Sequence, residues 1–185
     1  MSLSIQSIHP FSPYFADFKR LYQAVFPEKS RFPVALLVIM AWRPDVDFWA
    51  VLDEGEFVGF VYLINNQQAT FVLYLAVDER QHSKGYGSKI LALIEAEKAG
   101  KTIVLDIETV DNTAAPNHAQ RLKREAFYLK NGFETMDFQL QDGDDCLDVL
   151  CKNGRIDEKG YHALVTKPVF GLVNIRTIKR KIKRQ

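Results

Sequence analysis

The chain has 185 residues, 47% of them hydrophobic, and a formal net charge of +1. That is enough apolar material for one domain with a real core, and the even charge gives no overall attraction to nucleic acid. The opening residues, MSLSIQSIHPFSPYF, lack a basic start followed by a long apolar run, and no run reaches membrane-spanning length; neither a signal peptide nor a membrane span is expected.

In chain order, YFADFKRLYQAVF (14–26) places Phe15, Phe18, Leu21, Tyr22 and Val25 at helical spacing, and Pro27 ends the helix. Pro33 opens a second helix, VALLVIMAW, stopped by Pro44. FWAVLDEGEFVGFVYLI reads as a hairpin turning at Asp53-Glu54-Gly55-Glu56, and ATFVLYLAV (69–77) as a third strand. Residues 86–99 are helical, with Ile90, Leu91, Leu93 and Ile94 as the apolar face and Gly100 as the stop. KTIVLDIETV alternates as a strand, 118–130 returns to helix, and ETMDFQL and DCLDVLC are strands joined at Gly143. Residues 156–185 form a C-terminal extension with room for a helix, ending in the basic tract RTIKRKIKRQ, which reads first as a solvated end and second, since Ile178 and Ile182 interrupt it, as a partner surface. Cys146 and Cys151 are too widely spaced for a C-x-x-C motif and read as packed free thiols in a reduced cytoplasm. The order is mixed α/β with mostly antiparallel neighbours, not the regular alternation of a doubly wound sheet.

The most informative stretch is DERQHSKGYGSKIL (78–91). It lies between a strand and a helix, where backbone N–H groups and the helix dipole converge on one point. Gly85 and Gly87 lack a Cβ, so a bulky anion can approach the backbone; Lys84 and Lys89 add ammonium groups nearby. The anion fitting such a seat is a phosphate or pyrophosphate. The ATP-binding loop G-x-x-x-x-G-K-[ST] is absent, and G-x-G-x-x-G lacks its third glycine, because position 90 is Ile.

With its flanks, LYLAVDERQHSKGYGSKIL resembles the acetyl-coenzyme A signature of the GCN5-related N-acetyltransferase (GNAT) family, [RQ]-x-x-G-x-[GA], which maps onto His82-Ser83-Lys84-Gly85-Tyr86-Gly87. A second family motif matches Phe127-Tyr128-Leu129-Lys130-Asn131-Gly132-Phe133, and the resemblance covers roughly residues 48–138. It implies a single acetyltransferase-like domain over 1–185. The implied fold is a mixed, mostly antiparallel central sheet flanked by helices, with a splay between strands 70–77 and 102–110. It also implies acetyl-CoA as co-substrate and no metal. Pantetheine would pair with the backbone at Leu75, Ala76 and Val77. The pyrophosphate would sit on His82, Ser83, Lys84, Gly85, Tyr86, Gly87 and Ser88. The family's Arg or Gln is His82 here. The family's Asn seven residues ahead of the Tyr falls on Arg121, with Asn112 and Asn117 lying earlier, so the pantetheine contact rests with Asn112, Asn117 or Arg121.

The resemblance assigns Tyr128 to protonating the departing sulfur, and the N–H of Val77 to the oxyanion. Glu108 and Asp106 share one face of their strand and are candidates for base or amine ligand; the alternative has them facing solvent or pairing with Arg121 or Arg124. Arg121 and Arg124, three apart on one helix, are candidates for coenzyme phosphates, and His118 is a weaker candidate for proton transfer. The reading is an N-acetyltransferase acting on a primary amine of a small molecule or peptide. The alternative is a catalytically silent coenzyme A-binding sensor or interaction module. The last strands and the C-terminal segment are candidate homodimer surfaces.

Overall fold

The structure is a computed structural model that describes residues 3–81, 84–142, 145–166 and 176–180. Among the described residues, eight strands and five α-helices follow one another: β1 Leu3–Ser7, α1 Phe15–Val25, α2 Val34–Met40, β2 Val46–Asp53, β3 Glu56–Asn65, β4 Ala69–Val77, α3 Tyr86–Glu97, β5 Thr102–Glu108, α4 His118–Lys130, β6 Glu134–Asp142, β7 Asp145–Lys152, α5 Glu158–Thr166 and β8 Arg176–Lys179. The strands lie in the order β1-β2-β3-β4-β5-β7-β6-β8. The sheet is mostly antiparallel, as the sequence predicts. The chain divides into two compact units, residues 1–66 with 72–99, and residues 67–71 with 100–185.

In the first unit, the burial of Phe18, Leu21 and Tyr22 on one stripe of α1 explains that helix. Phe18 meets the rings of Phe48 and Phe60 edge-on, at centroid distances of 4.7 and 4.9 Å. The β2–β3 hairpin turns on Glu54 and Gly55, both with positive φ (52° and 86°), with Asp53 paired to Glu56. Two left-handed residues make a type I′ turn, which matches the twist of the flanking strands. A register shift between Val51 and Leu52 marks a bulge in this hairpin. Gly59 is needed for close approach: a Cβ there would stand 2.3 Å from the carbonyl oxygen of Ala76 on β4. β1 was not expected. Its only apolar residues are Leu3 and Ile5, and its pairing with β2, from Leu3↔Asp53 to Ser7↔Trp49, makes it a strand.

In the second unit, the first residues of β4 pair in parallel with β5, from Ala69↔Thr102 to Phe71↔Val104. β4 itself continues to Val77, beyond that pairing. β7 pairs antiparallel with both β5 and β6. Tyr161 of α5 is buried against the rings of Phe71 and Phe138, and its hydroxyl donates to Asp106 Oδ2 at 2.7 Å. The room for a helix in the C-terminal extension is filled by α5. The basic tract departs from expectation. Its first residues form β8, an edge strand paired with β6 from Phe138↔Lys179 to Gln141↔Arg176. Arg180 Nε then lies 2.9 Å from Oδ1 of the buried Asp148. Cys151 is a buried free thiol whose pKa burial pushes up to about 11.

Candidate active site

The turn after β4 is organised by a residue the sequence reading passed over. Asp78 is fully buried at the end of the strand. Its Oδ1 accepts the Arg80 N–H at 3.0 Å and Arg80 Nε at 2.9 Å, and its Oδ2 accepts Arg80 Nη2 at 2.9 Å. Oδ2 also pairs with Arg20 of α1. The Asp78 carbonyl accepts Gln81 N–H at 2.8 Å, closing a short 3-10 turn over Glu79–Gln81. The Arg80 hydrogen bonds, with Arg20 adding to them, hold the Asp78 carboxyl well below the usual carboxylate range. The only sequence signal for this is an acid closing a strand with an Arg two residues on; Arg20 lies 58 residues away.

His82 and Ser83 lie outside the described residues. Gly85 caps α3 in the left-handed conformation (φ +75°), and a Cβ placed on it would meet nothing within 4 Å. The backbone at the start of this helix is therefore open to a bulky group. Its first N–H groups, including those of Tyr86, Gly87 and Ser88, have no carbonyl within the helix to bond. The basic side chains around the turn are engaged elsewhere. Arg80 is on Asp78, and Lys84 Nζ donates to Gln81 Oε1 at 2.8 Å. Lys89 Nζ lies 4.7 Å from the centroid of the Tyr86 ring. Tyr86 is buried, and its hydroxyl donates to Asp53 Oδ2 at 2.6 Å. That hydrogen bond, with burial, raises the phenol pKa, so only the backbone of Tyr86 is available to a ligand. On β4, Ala76 is buried and Leu75 and Val77 are half-buried. Asp78 N–H donates to Val58 O of β3, so by alternation the Val77 N–H points to the strand's other edge.

In the second unit, one polar cluster joins the end of β5 to the first turns of α4. Asn117 precedes α4 but makes no side-chain cap. Its Nδ2 instead donates to both Glu108 oxygens at 3.2 Å, and its Oδ1 accepts Arg121 Nε at 2.8 Å. Arg121 is 5% exposed. Its Nη1 donates to the Thr109 carbonyl at 3.0 Å and its Nη2 to Glu108 Oε1 at 3.2 Å. Arg124 Nη1 donates to Glu108 Oε2 at 3.0 Å. The pairing of Glu108 with an arginine, anticipated as one alternative, is thus present with both arginines. Asp106 takes the Tyr161 hydroxyl. Asn112 is exposed, and His118 Nδ1 is buried without a hydrogen-bond partner.

Tyr128 lies one turn beyond Arg124 on α4, half-buried, its ring against Phe127 and Phe133 at 5.1 and 5.5 Å. Burial, and secondarily Asp106, raise its phenol pKa against the opposing effect of Arg124, so it is a protonated donor at neutral pH. Among the described residues its hydroxyl has no hydrogen-bond partner. Gly132 (φ +84°) then ends the helix.

The model of the acetyltransferase (GNAT) domain matches residues 44–135. The chain carries a GNAT acetyltransferase domain. No curated protein matches the sequence. Among solved structures, an acetyltransferase described as of the GNAT family from Bacteroides thetaiotaomicron superposes with a TM-score of 0.75 at 21% identity, covering 92% of this chain and 99% of its own. An aminoglycoside 6'-N-acetyltransferase complexed with coenzyme A gives 0.63 at 20% identity, covering 83% of this chain and 99% of its own. The ribosomal-protein-S18-alanine N-acetyltransferase from Escherichia coli gives 0.59 at 14% identity, covering 84% and 97%. At these identities the GNAT neighbours share a fold with this chain and leave its acceptor open. Among the described residues no helix is long and apolar enough to cross a membrane, and no group of three or more His, Cys, Asp or Glu is arranged to hold a metal ion.

Proposed function

We propose that this GNAT domain moves the acetyl group of acetyl-CoA to a primary amine of a small molecule or peptide. The observation that carries the reading is the Tyr128 hydroxyl, a protonated donor at neutral pH that no other described residue engages. When bound, acetyl-CoA supplies an acetyl group activated as a thioester. The residues present fit it: the left-handed Gly85 cap leaves the first turn of α3 uncovered, and the N–H groups of Tyr86, Gly87 and Ser88 are suited to a pyrophosphate. Lys84 contributes long-range charge, and His82 stands where the family has Arg or Gln, so its backbone rather than a cationic side chain serves the seat. The backbone of Leu75, Ala76 and Val77 takes the pantetheine arm as an added strand, and the Val77 N–H is the oxyanion donor.

In this scheme the acceptor amine enters unprotonated, its nitrogen bonds to the acetyl carbon as the C–S bond breaks, Tyr128 gives its phenolic proton to the departing sulfur, and the proton shed by the new amide nitrogen restores the phenol. Glu108 already accepts from Asn117, Arg121 and Arg124, which supports a role in ordering this face rather than in taking a proton. The buried Arg121 acts as the brace that aims Asn117, and Asn117 is the pantetheine contact.

The test is thiol release from acetyl-CoA over an amine panel, alongside calorimetry of coenzyme binding. Turnover that falls sharply in Tyr128→Phe with binding retained supports the reading. Binding without turnover on any amine leaves a coenzyme A-binding module, and no binding at all removes both.

A further inference from the structure

The α4 face beside Tyr128 is uneven in its hydrogen-bonding capacity. On the accepting side, Glu108 is filled: Oε1 takes Asn117 Nδ2 and Arg121 Nη2, and Oε2 takes Asn117 Nδ2 and Arg124 Nη1. Asp106 is turned to the Tyr161 hydroxyl. On the donating side, Arg121 is buried and held by Asn117, Thr109 and Glu108. Arg124 differs. Its side chain is 39% exposed, and only Nη1 is engaged, by Glu108. Among the described residues its Nε and Nη2 have no partner, which leaves one edge of a planar, permanently charged fork open. A ligand group placed here must accept hydrogen bonds, and a carboxylate matches the fork geometry best.

Position along α4 decides which anion this is. Arg124 and Tyr128 are four residues apart, about 6 Å along the helix axis. With Tyr128 at the sulfur, Arg124 is beside the reacting end, whereas the coenzyme phosphates lie a whole pantetheine arm away. Resting on that assignment of Tyr128, we propose that Arg124 receives a carboxylate of the acceptor, so that the amine this chain acetylates belongs to an amino acid or a similar small amine bearing a carboxylate. Glu108 then orients the guanidinium and is filled against competing for a cationic substrate. Among the described residues of this face, Glu108 is filled and offers a polycationic amine no open acceptor.

Thiol release is measured for a panel of amino acids against matched amines in which the carboxylate is replaced by hydrogen or by a primary amide. The expected result is kcat/KM at least tenfold higher for the carboxylate-bearing member of a pair. Arg124→Gln raises the KM of that acceptor about tenfold and leaves the KM of acetyl-CoA within twofold; Arg124→Lys, which keeps the charge without the fork, falls between. Calorimetry with acetyl-CoA and thermal melting of each variant show that it is folded and loaded. Equal use of matched amines overturns the proposal, as does Arg124→Gln acting on the KM of acetyl-CoA instead, which would make this a phosphate contact. If acetyl-CoA binds and no member of the panel is acetylated, the carboxylate assignment falls while the coenzyme site stands. If acetyl-CoA does not bind, both fall.

Discussion

The turn after β4 and the face of α4 treat ligand chemistry in opposite ways. At the turn, Asp78 pairs with Arg20 and Arg80, Lys84 donates to Gln81, and Lys89 lies over the Tyr86 ring. The backbone there is open at Gly85. On α4 the backbone is closed in helix, and the available groups are side chains, the Tyr128 hydroxyl and one edge of Arg124. A basic cluster in sequence therefore does not show which of its charged groups already have partners within the fold.

The contrast gives a graded set of expectations. The largest effect belongs to the side-chain end: Tyr128→Phe should lower kcat on the order of 100-fold, with acetyl-CoA affinity by calorimetry changed little. Next is the support of the turn. Asp78→Asn removes a buried carboxylate from two guanidiniums while keeping an acceptor for the Arg80 N–H, and should cost about 2 kcal/mol in urea unfolding. Its pH dependence has a definite sign. The folded carboxyl titrates below the ordinary value of about 3.9, so its contribution is fully present above that value and is lost as pH falls through it toward the folded one. The wild-type chain should thus lose more stability than Asp78→Asn between about pH 4 and pH 2.

Gly85→Ala tests the backbone itself. With no atom near the added methyl, the penalty is the left-handed conformation alone, about 1–2 kcal/mol, read as a lowered Tm together with weaker coenzyme binding. The smallest effect is expected for Lys84→Ala and Lys89→Ala, each changing the Kd of coenzyme A by less than about threefold at 0.15 M salt. A tenfold loss in either lysine variant would erase the contrast, because the turn would then depend on side-chain charge after all.

Much of this molecule was legible in the sequence where local pattern and tertiary need agree. The stripe Phe18-Leu21-Tyr22 is α1, the Glu54-Gly55 pair is the hairpin, and the expected helix 118–130 is α4 to the residue. The two edge strands were not legible, for a shared reason. β1 has two apolar residues, and β8, at the start of the basic tract, has a single isoleucine, so each becomes a strand through its ladder partner rather than through its own periodicity. At the candidate site, helical spacing grouped Arg121 and Arg124, but not the buried contacts that separate the braced guanidinium from the half-exposed one. Asp78 escaped because its partner Arg20 is on another element, and pairing at that sequence distance leaves no periodic trace.

The segment between α1 and α2 is held in an unusual manner. Tyr22 of α1 donates to the carbonyl of Phe32 at 3.0 Å, and Tyr74 of β4 accepts the Phe32 N–H at 3.2 Å and donates to the Ser30 carbonyl at 2.9 Å. All three contacts reach main-chain atoms of the segment and none reaches its side chains. The course of residues 30–32 is thus dictated by two tyrosines outside it. The side chains of residues 30–32 themselves can therefore be exchanged without losing that path, so the chemistry of the segment can change while its course is kept.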